Sequence, residues 1–244
     1  FAYATAFLQA ISATSGCVAL AIDLRPSSPG IAAACAAAIR HAGLEVDYCG
    51  AVPTPALAYY AQVKGVPAIM VTGSHIPFDR NGIKFYSASG EITKADETAI
   101  ADAVVVVPKH GLLAELPPAN PDAHRMYMAR YLDFFPSRAL AGMRLGFYEH
   151  SSVARDLLSE LLRALGAEVV SLGRVDEFVP IDTEAVSEIK VPIGTSIGSH
   201  SRAVPMLTAA KVSVPWWPAM VLSTKAIRPV ETWPSTRGRA SRPV

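Results

Sequence analysis

A dense group of reactive side chains lies between residues 72 and 84, directly after an apolar run. A hydroxyl beside an imidazole, with an amine ten residues later, provides a nucleophile, a proton carrier and a cation. Two glycines permit sharp turns around these groups. By itself, a serine next to a histidine is more typical of an ordinary polar surface loop than of an active site. The reactive residues in this stretch are Thr72, Ser74, His75, Asp79, Arg80, Asn81 and Lys84.

The elements that would position this loop alternate between helix and strand up to residue 108. Continuous apolar runs here are typical of strands buried on both faces. The alternation predicts an α/β layer structure with a mainly parallel sheet, whose ligand sites lie at the carboxyl ends of strands. The loops 24–30 and 72–82 both occupy that position. Helices are predicted at 2–12, 29–42, 54–63 and 93–104, and strands at 17–24, 44–49, 66–71 and 83–86.

Beyond residue 108 the sequence predicts a linker and a second, smaller unit. Residues 109–137 combine prolines with a connecting helix at 123–134. Residues 138–188 contain one strand, one helix and one more strand, which is too little for a complete α/β domain. The expected fold is a three-layer αβα first domain over 1–108, an incomplete second α/β domain and an irregular tail.

The tail, residues 189–244, differs in composition from everything before it. Residues 1–188 contain 14 Lys and Arg against 20 Asp and Glu, whereas the tail contains eight against one. The tail also holds all three tryptophans and seven of the 19 prolines. Such a break marks a domain boundary or a segment of different origin. We expect the tail not to be native sequence of the parent protein, with a shifted reading frame as the preferred explanation.

Composition and charge exclude several classes of protein. The chain is 51% hydrophobic and 18% charged, which is globular composition. A net charge of +1 gives no reason to expect nucleic-acid binding. No apolar run reaches the length of a membrane span, and no signal peptide is visible at the start. Cys17, Cys35 and Cys49 lack metal-ligand spacing. They are expected to be buried thiols of a cytoplasmic protein.

Four segments, taken together, resemble the α-D-phosphohexomutases, the phosphomannomutase/phosphoglucomutase family. The sequence VTGSHIP at 71–77, followed by NGIK at 81–84, is similar to the active-site loop of that family. DLRPSS at 23–28 resembles its arginine loop, and GAVPTP at 50–55 resembles a strand-to-helix turn of its first domain. Residues 146–178 resemble the start of its second domain. The resemblance covers about residues 1–188.

The resemblance implies roles for four side chains. Ser74 would carry a phosphoryl group, Arg25 and Lys84 would neutralise it, and His75 or Lys84 would assist proton transfer. A phosphoserine carries about −1.5 to −2 charges near neutral pH, so nearby cations are physically reasonable. The intact parent would be a cytoplasmic mutase that moves phosphate between O6 and O1 of a hexose phosphate. It would use hexose 1,6-bisphosphate as activator and Mg²⁺, bound partly through the Ser74 phosphoryl group.

The sequence also departs from the family pattern. Ile76 stands where Asn is common, and Gly73 stands where Ala is frequent, a change expected to be nearly neutral. No metal loop of the Asp-Gly-Asp-x-Asp-Arg type follows residues 182–186, and the later specificity and phosphate loops are absent. This chain is therefore expected to be inactive as a mutase. The competing hypothesis is a non-catalytic remnant that at most binds phosphate or a protein partner.

Overall fold

Two sheets, each built around parallel strands, organise the chain in this computed structural model. The structure describes residues 1–13, 16–74, 76–77, 79–178 and 206–208. The helices are α1 (Ala2–Ala10), α2 (Ser28–His41), α3 (Thr54–Lys64), α4 (Lys94–Asp102), α5 (Asp122–Phe134) and α6 (Arg155–Ala164). The strands are β1 (Cys17–Ile22), β2 (Glu45–Ala51), β3 (Ala68–Val71), β4 (Ile83–Ser87), β5 (Gly90–Glu91), β6 (Arg144–Tyr148), β7 (Glu168–Leu172) and β8 (Met206–Thr208).

The first sheet has the strand order β2-β1-β3-β4-β5. β1 pairs in parallel with β2 and β3, while β4 runs antiparallel to β3. Side chains alternate between the two faces, so Val18 and Leu20 pack in the core with α1 and α2. Ala19 and Ala21 face the opposite core, with α3 and α5. This arrangement confirms the predicted three-layer αβα architecture with a mainly parallel sheet.

The second sheet has the order β7-β6-β8, with both neighbours parallel to β6. Leu157 and Leu161 of α6 pack in the same core as Tyr127 of α5 and Leu57 of α3. β8 lies inside the tail, for which the sequence predicts irregular structure, and that prediction stays untested. The rest of the tail lies outside the described residues. The proposed domain boundaries at 108, 137 and 188 stay predictions.

Most elements begin and end within a few residues of their predicted limits. A capping box begins α4, because the Thr93 hydroxyl accepts from the Asp96 N–H and the Asp96 carboxylate accepts from the Thr93 N–H. α6 begins at Arg155, three residues after Ser152. The Ser152 hydroxyl accepts a hydrogen bond from the Ala154 N–H, which belongs to a turn before the helix. Local side-chain bonding thus delays the start of the helix.

The cysteines confirm the expectation of buried thiols at two positions. Cys35 and Cys49 are buried, whereas Cys17 is partly exposed. Burial raises the pKa of Cys35 to about 11 and, with help from the Asp47 carboxylate, that of Cys49 to about 12. Among the described helices, none is both long enough and apolar enough to cross a bilayer.

Candidate active site

The Ser74 loop, residues 72–82, leaves the carboxyl end of β3 and returns as the antiparallel strand β4. At its base the Thr72 N–H donates to the carbonyl oxygen of Gly82 at 3.0 Å. Next to it, the Asp23 N–H donates to the carbonyl oxygen of Val71 at 3.0 Å. The residues that follow β1 and those that follow β3 therefore meet at one end of the sheet. This is the juxtaposition that the sequence pattern predicts for the two loops.

Ser74 occupies a left-handed turn at the surface of this loop. Its φ angle is 51°, an uncommon value for a residue other than glycine. The Ser74 N–H donates to the Thr72 hydroxyl at 3.0 Å, which helps to hold this conformation. The residue is exposed, and its own hydroxyl makes no hydrogen bond to any described residue. A serine in this position can accept a group from a ligand in solvent.

Asp23 connects the two loops through both of its carboxylate oxygens. Oδ2 accepts hydrogen bonds from the Thr72 hydroxyl at 2.9 Å and the Gly73 N–H at 3.1 Å. Oδ1 accepts from the Arg25 N–H at 3.0 Å and the Ser28 hydroxyl at 2.5 Å. Sequence reasoning assigned no role to Asp23. The available signal was its position, because a carboxylate directly after a buried strand lies beside the loop that follows the neighbouring strand.

Arg25 lies beneath the Ser74 loop and is only 5% exposed. Its Nη1 donates to the carbonyl oxygens of Pro77 at 2.9 Å and Arg80 at 2.7 Å. Its Nη2 donates to those of Ile76 at 2.9 Å and Ser74 at 3.5 Å. Nε lies 3.4 Å from Asp23 Oδ2, and the Phe178 ring lies 5.4 Å from the guanidinium carbon. The structure thus brings the predicted arginine to the predicted loop.

Gly73 is required by the position of Arg25. A Cβ atom at residue 73 would lie 2.2 Å from Arg25 Cζ and 2.3 Å from its Nε. Since the guanidinium is fixed by its hydrogen bonds, it cannot move aside without breaking them. The expectation that glycine and alanine are nearly equivalent at this position is therefore wrong in this structure.

Lys84 lies in β4 beside the strand that leads into Ser74. It pairs with Met70, and its neighbour Ile83 pairs with Val71. Lys84 is half-buried, and its ammonium has no hydrogen-bond or ion-pair partner within the part of the chain that the structure describes. A cation without a local partner is available to an anionic ligand. The fourth predicted residue, His75, lies outside the described residues.

Asn81 ties the Ser74 loop to the start of α2. Its side-chain amide donates to the hydroxyl of Ser27 at 2.9 Å and to that of Ser28 at 2.8 Å. Its side-chain oxygen accepts from the Gly82 N–H at 2.9 Å. Sequence reasoning counted Asn81 among the polar residues of the loop but gave it no role. Its contacts make it a structural bridge between the two loops.

The described residues around Ser74 do not form a site for a metal ion. Among them there is no group of three or more His, Cys, Asp or Glu side chains placed to hold one. Asp23 is the carboxylate beneath the loop, and each of its oxygens already accepts two hydrogen bonds. The Mg²⁺ implied by the resemblance, bound partly through the Ser74 phosphoryl group, stays a prediction.

Comparison with known proteins gives consistent matches to one group of enzymes. Residues 1–106 match the family described as "Phosphoglucomutase/phosphomannomutase, alpha/beta/alpha domain I". The chain is 55% identical over 188 residues to the phosphomannomutase of Salmonella muenchen, covering 76% of this chain and 38% of that protein. It is 44% identical over 205 residues to the phosphomannomutase of Sinorhizobium fredii (strain NBRC 101917 / NGR234), covering 76% and 41%.

A solved structure supports the same relationship. The phosphoglucomutase/phosphomannomutase family protein from Burkholderia thailandensis superposes with a TM-score of 0.54 at 27% identity, covering 70% of this chain and 39% of that one. The chain spans about two fifths of the length of the relatives that it matches.

Proposed function

Because the N-terminal part of this chain belongs to the α-D-phosphohexomutase family, we propose that it is the phosphoserine-carrying part of a hexose phosphate mutase. The proposal rests above all on Ser74, an exposed serine in a left-handed turn whose hydroxyl is free of described partners. The reaction is an intramolecular transfer of phosphate between O6 and O1 of a hexose, in the cytoplasm. The substrate is a hexose phosphate.

The proposed transfer has two balanced steps. In the first, the bond between phosphorus and Ser74 Oγ breaks while a bond forms between phosphorus and a hydroxyl oxygen of the sugar phosphate. The proton of that hydroxyl passes to a base, for which His75 and Lys84 are the candidates. The resulting bisphosphate reorients, and its other phosphoryl group returns to Ser74. Transfer of this kind depends mainly on positioning and on charge stabilisation.

Two cations are candidates to supply positive charge to the proposed site. Lys84 has no described partner, so its charge is available to the phosphoryl group. The charge of Arg25 lies beneath the loop and is partly offset by the Asp23 carboxylate 3.4 Å from its Nε. A positive potential prepared before the reaction stabilises the charge that develops on the transferring group.

We further propose that this chain alone has no mutase activity. It spans 38% and 41% of the lengths of two phosphomannomutases. Ligands for Mg²⁺ and groups that hold the second phosphate would have to come from outside the described residues. Assays of the purified chain with mannose 6-phosphate and glucose 6-phosphate, with and without Mg²⁺, are expected to give background rates. Robust Mg²⁺-dependent conversion would contradict this proposal.

Residues 189–244 are proposed to be out of frame with the parent mutase. The loss of acidic residues and the gain of proline and tryptophan coincide with the end of the family resemblance. Reading the parent DNA beyond codon 188 in its other two frames is expected to give an Asp-Gly-Asp type metal loop. Finding no such loop, together with a protease-resistant tail, would argue against a shifted frame.

Phosphopeptide mapping tests the central proposal. The chain, and a chimera of residues 1–188 joined to the C-terminal part of the Salmonella muenchen relative, are incubated with labelled hexose 1,6-bisphosphate. Label is expected on Ser74 and is expected to disappear in Ser74→Ala. Ser89→Ala is the matched control, because Ser89 is an exposed serine on the turn before β5. Label on another residue with Ser74 unmodified would refute the assignment, and a chimera without label would favour a non-catalytic remnant.

A further inference from the structure

Arg25 has no N–H group left to offer to a ligand. A guanidinium has five donors in a fixed fork and no acceptor. In this structure Nε faces Asp23, and the four hydrogen atoms on Nη1 and Nη2 are matched by four carbonyl oxygens. The Phe178 ring covers the guanidinium at 5.4 Å. A phosphoryl group on Ser74 could contact this guanidinium only if a bond to the loop were broken.

All four carbonyl oxygens belong to the loop that presents Ser74. They are those of Ser74, Ile76, Pro77 and Arg80, so one buried side chain bonds to the loop over seven residues. Hydrogen bonds from a charged donor are stronger than neutral ones. Holding these oxygens on the inner side of the loop also keeps their negative partial charge away from the surface where Ser74 is exposed.

We propose that Arg25 is a positioning residue, which fixes the backbone of the Ser74 loop from beneath and does not contact the phosphoryl group. The assignment of Ser74 as the phosphoryl carrier rests on the proposed function. The geometry of the loop does not. Lys84 is then the cation that meets the phosphoryl group, and Gly73 is the residue that leaves room for the guanidinium.

The substitution Arg25→Lys distinguishes a role of the Arg25 hydrogen bonds from a role of its charge. Its ammonium keeps the positive charge but offers three donors on a single point, and it cannot reproduce a planar fork directed at four carbonyls and a carboxylate. If Arg25 holds the Ser74 loop through its charge, the loop stays fixed in Arg25→Lys and is released in Arg25→Gln. If Arg25 acts through its hydrogen bonds, both substitutions release the loop.

Trypsin reports directly on the loop in the full 244-residue chain. The bond after Arg80 lies where the Arg80 carbonyl oxygen accepts from Arg25 at 2.7 Å. Position 25 precedes Pro26, so trypsin does not cleave there whether Arg or Lys is present. Arg40–His41, at the end of α2, provides an internal reference for general unfolding. Arg40→Lys is the matched control, because Arg40 is exposed and keeps a tryptic site.

Cleavage after Arg80 is expected to be about tenfold faster or more in both Arg25→Lys and Arg25→Gln, given the loss of several charge-assisted hydrogen bonds. Cleavage after residue 40 and the behaviour of Arg40→Lys should match the wild type. In Arg25→Ala, millimolar guanidinium is expected to slow cleavage after Arg80, while methylammonium is not. Wild-type protection in Arg25→Lys, or no change in any Arg25 variant, would overturn the proposal.

Faster cleavage after residue 40 would show that the Arg25 variants unfold. In that case Gly73→Ala provides a second test of the proposal. The added methyl would lie 2.2 Å from Arg25 Cζ, so it displaces the guanidinium while leaving Arg25 in the sequence. Faster cleavage after Arg80 with an intact α2 is expected, and a wild-type rate would refute the positioning role. The readout needs no phosphoryl transfer, so failure of the phosphopeptide experiment would leave it unaffected.

Discussion

Each of the two sheets has an acid directly after a parallel strand, paired with an arginine. Asp23 follows β1 and pairs with Arg25, and Glu149 follows β6 and pairs with Arg174 at 3.0 Å. Each acid also accepts from a buried serine of the following helix, Ser28 in the first case and Ser159 in the second. Both arrangements combine an acid, an arginine and a serine, but Arg25 follows the same strand as its acid, whereas Arg174 follows the neighbouring strand β7.

They differ in what their hydrogen bonds hold. Asp23 and Arg25 bond to the backbone of the loop that presents Ser74. Glu149, which is 2% exposed, bonds to Ser159 of α6 and to Arg174, which lies two residues after β7. The first arrangement supports an exposed hydroxyl, whereas the second joins a helix to a strand. An acid paired with an arginine at the end of a strand therefore indicates a candidate site only when their bonds lead to a reactive group.

Replacing Asp23 or Glu149 by its amide is expected to give the largest difference between the two arrangements in stability and turnover. In Asp23→Asn an amide replaces a carboxylate that accepts four hydrogen bonds, so donors are left unsatisfied and stability falls by about 3–5 kcal/mol. Glu149→Gln should cost about 2–3 kcal/mol. Urea unfolding of the chain measures both. In the chimera, turnover should be lost with Asp23→Asn and kept with Glu149→Gln, and equal losses of turnover would contradict the comparison.

The first sheet also carries a further cation, Lys84 of β4, which differs from the arginine of the second arrangement. Arg174 of the second sheet bonds to Glu149 and to Asp156 at 2.8 Å, whereas Lys84 has no partner among the described residues. Lys84→Ala is expected to cost about 2–4 kcal/mol of transition-state stabilisation, a rate loss of ~30- to 1000-fold. Steady-state kinetics of the chimera measures this loss. Lys94→Ala is the control, because Lys94 is a largely exposed lysine of α4, and near-normal turnover without Lys84 would show that the site is misassigned.

The sequence predicts much of the arrangement at the first sheet and little of the arrangement at the second sheet. Apolar runs such as the one at β1 indicated the order of the elements, because strands buried on both faces have a local signal. The meeting of residues 23–28 with 72–82 followed from the parallel topology. The role of Asp23 and the direction of the Arg25 donors did not, because they depend on contacts across about fifty residues.

The stabilisation that Glu149 provides at the second sheet should depend on pH. Burial raises the pKa of Glu149, but hydrogen bonds from Ser159, Arg174 and Ser171 outweigh it and leave the pKa below its ordinary value of 4.5. Because the folded-state pKa is lowered, the stabilisation is present above pH 4.5 and is lost as pH falls through the folded-state value. The difference in unfolding free energy between wild type and Glu149→Gln should therefore shrink on acidification. A constant difference down to pH ~3 would contradict this account.

The smallest predicted effect compares the two serines that donate to these acids. Ser28 donates to Asp23 Oδ1 at 2.5 Å and Ser159 to Glu149 Oε1 at 2.7 Å, and both serines are buried. Each serine-to-alanine change should cost about 1–2 kcal/mol in urea unfolding, because each removes one hydrogen bond to a carboxylate.

Tryptic cleavage after Arg80 should distinguish Ser28→Ala from Ser159→Ala, although the two variants lose similar stability. The Ser28 hydroxyl also accepts from the Asn81 amide at 2.8 Å, so its loss loosens the Ser74 loop as well as the acid beneath it. Ser28→Ala is therefore expected to speed tryptic cleavage after Arg80 roughly two- to fivefold, as one hydrogen bond at the loop is lost. Ser159→Ala should leave that cleavage unchanged, since its partner lies at the second sheet. Equal cleavage in the two variants would mean that the first arrangement, like the second, only joins a helix to a strand.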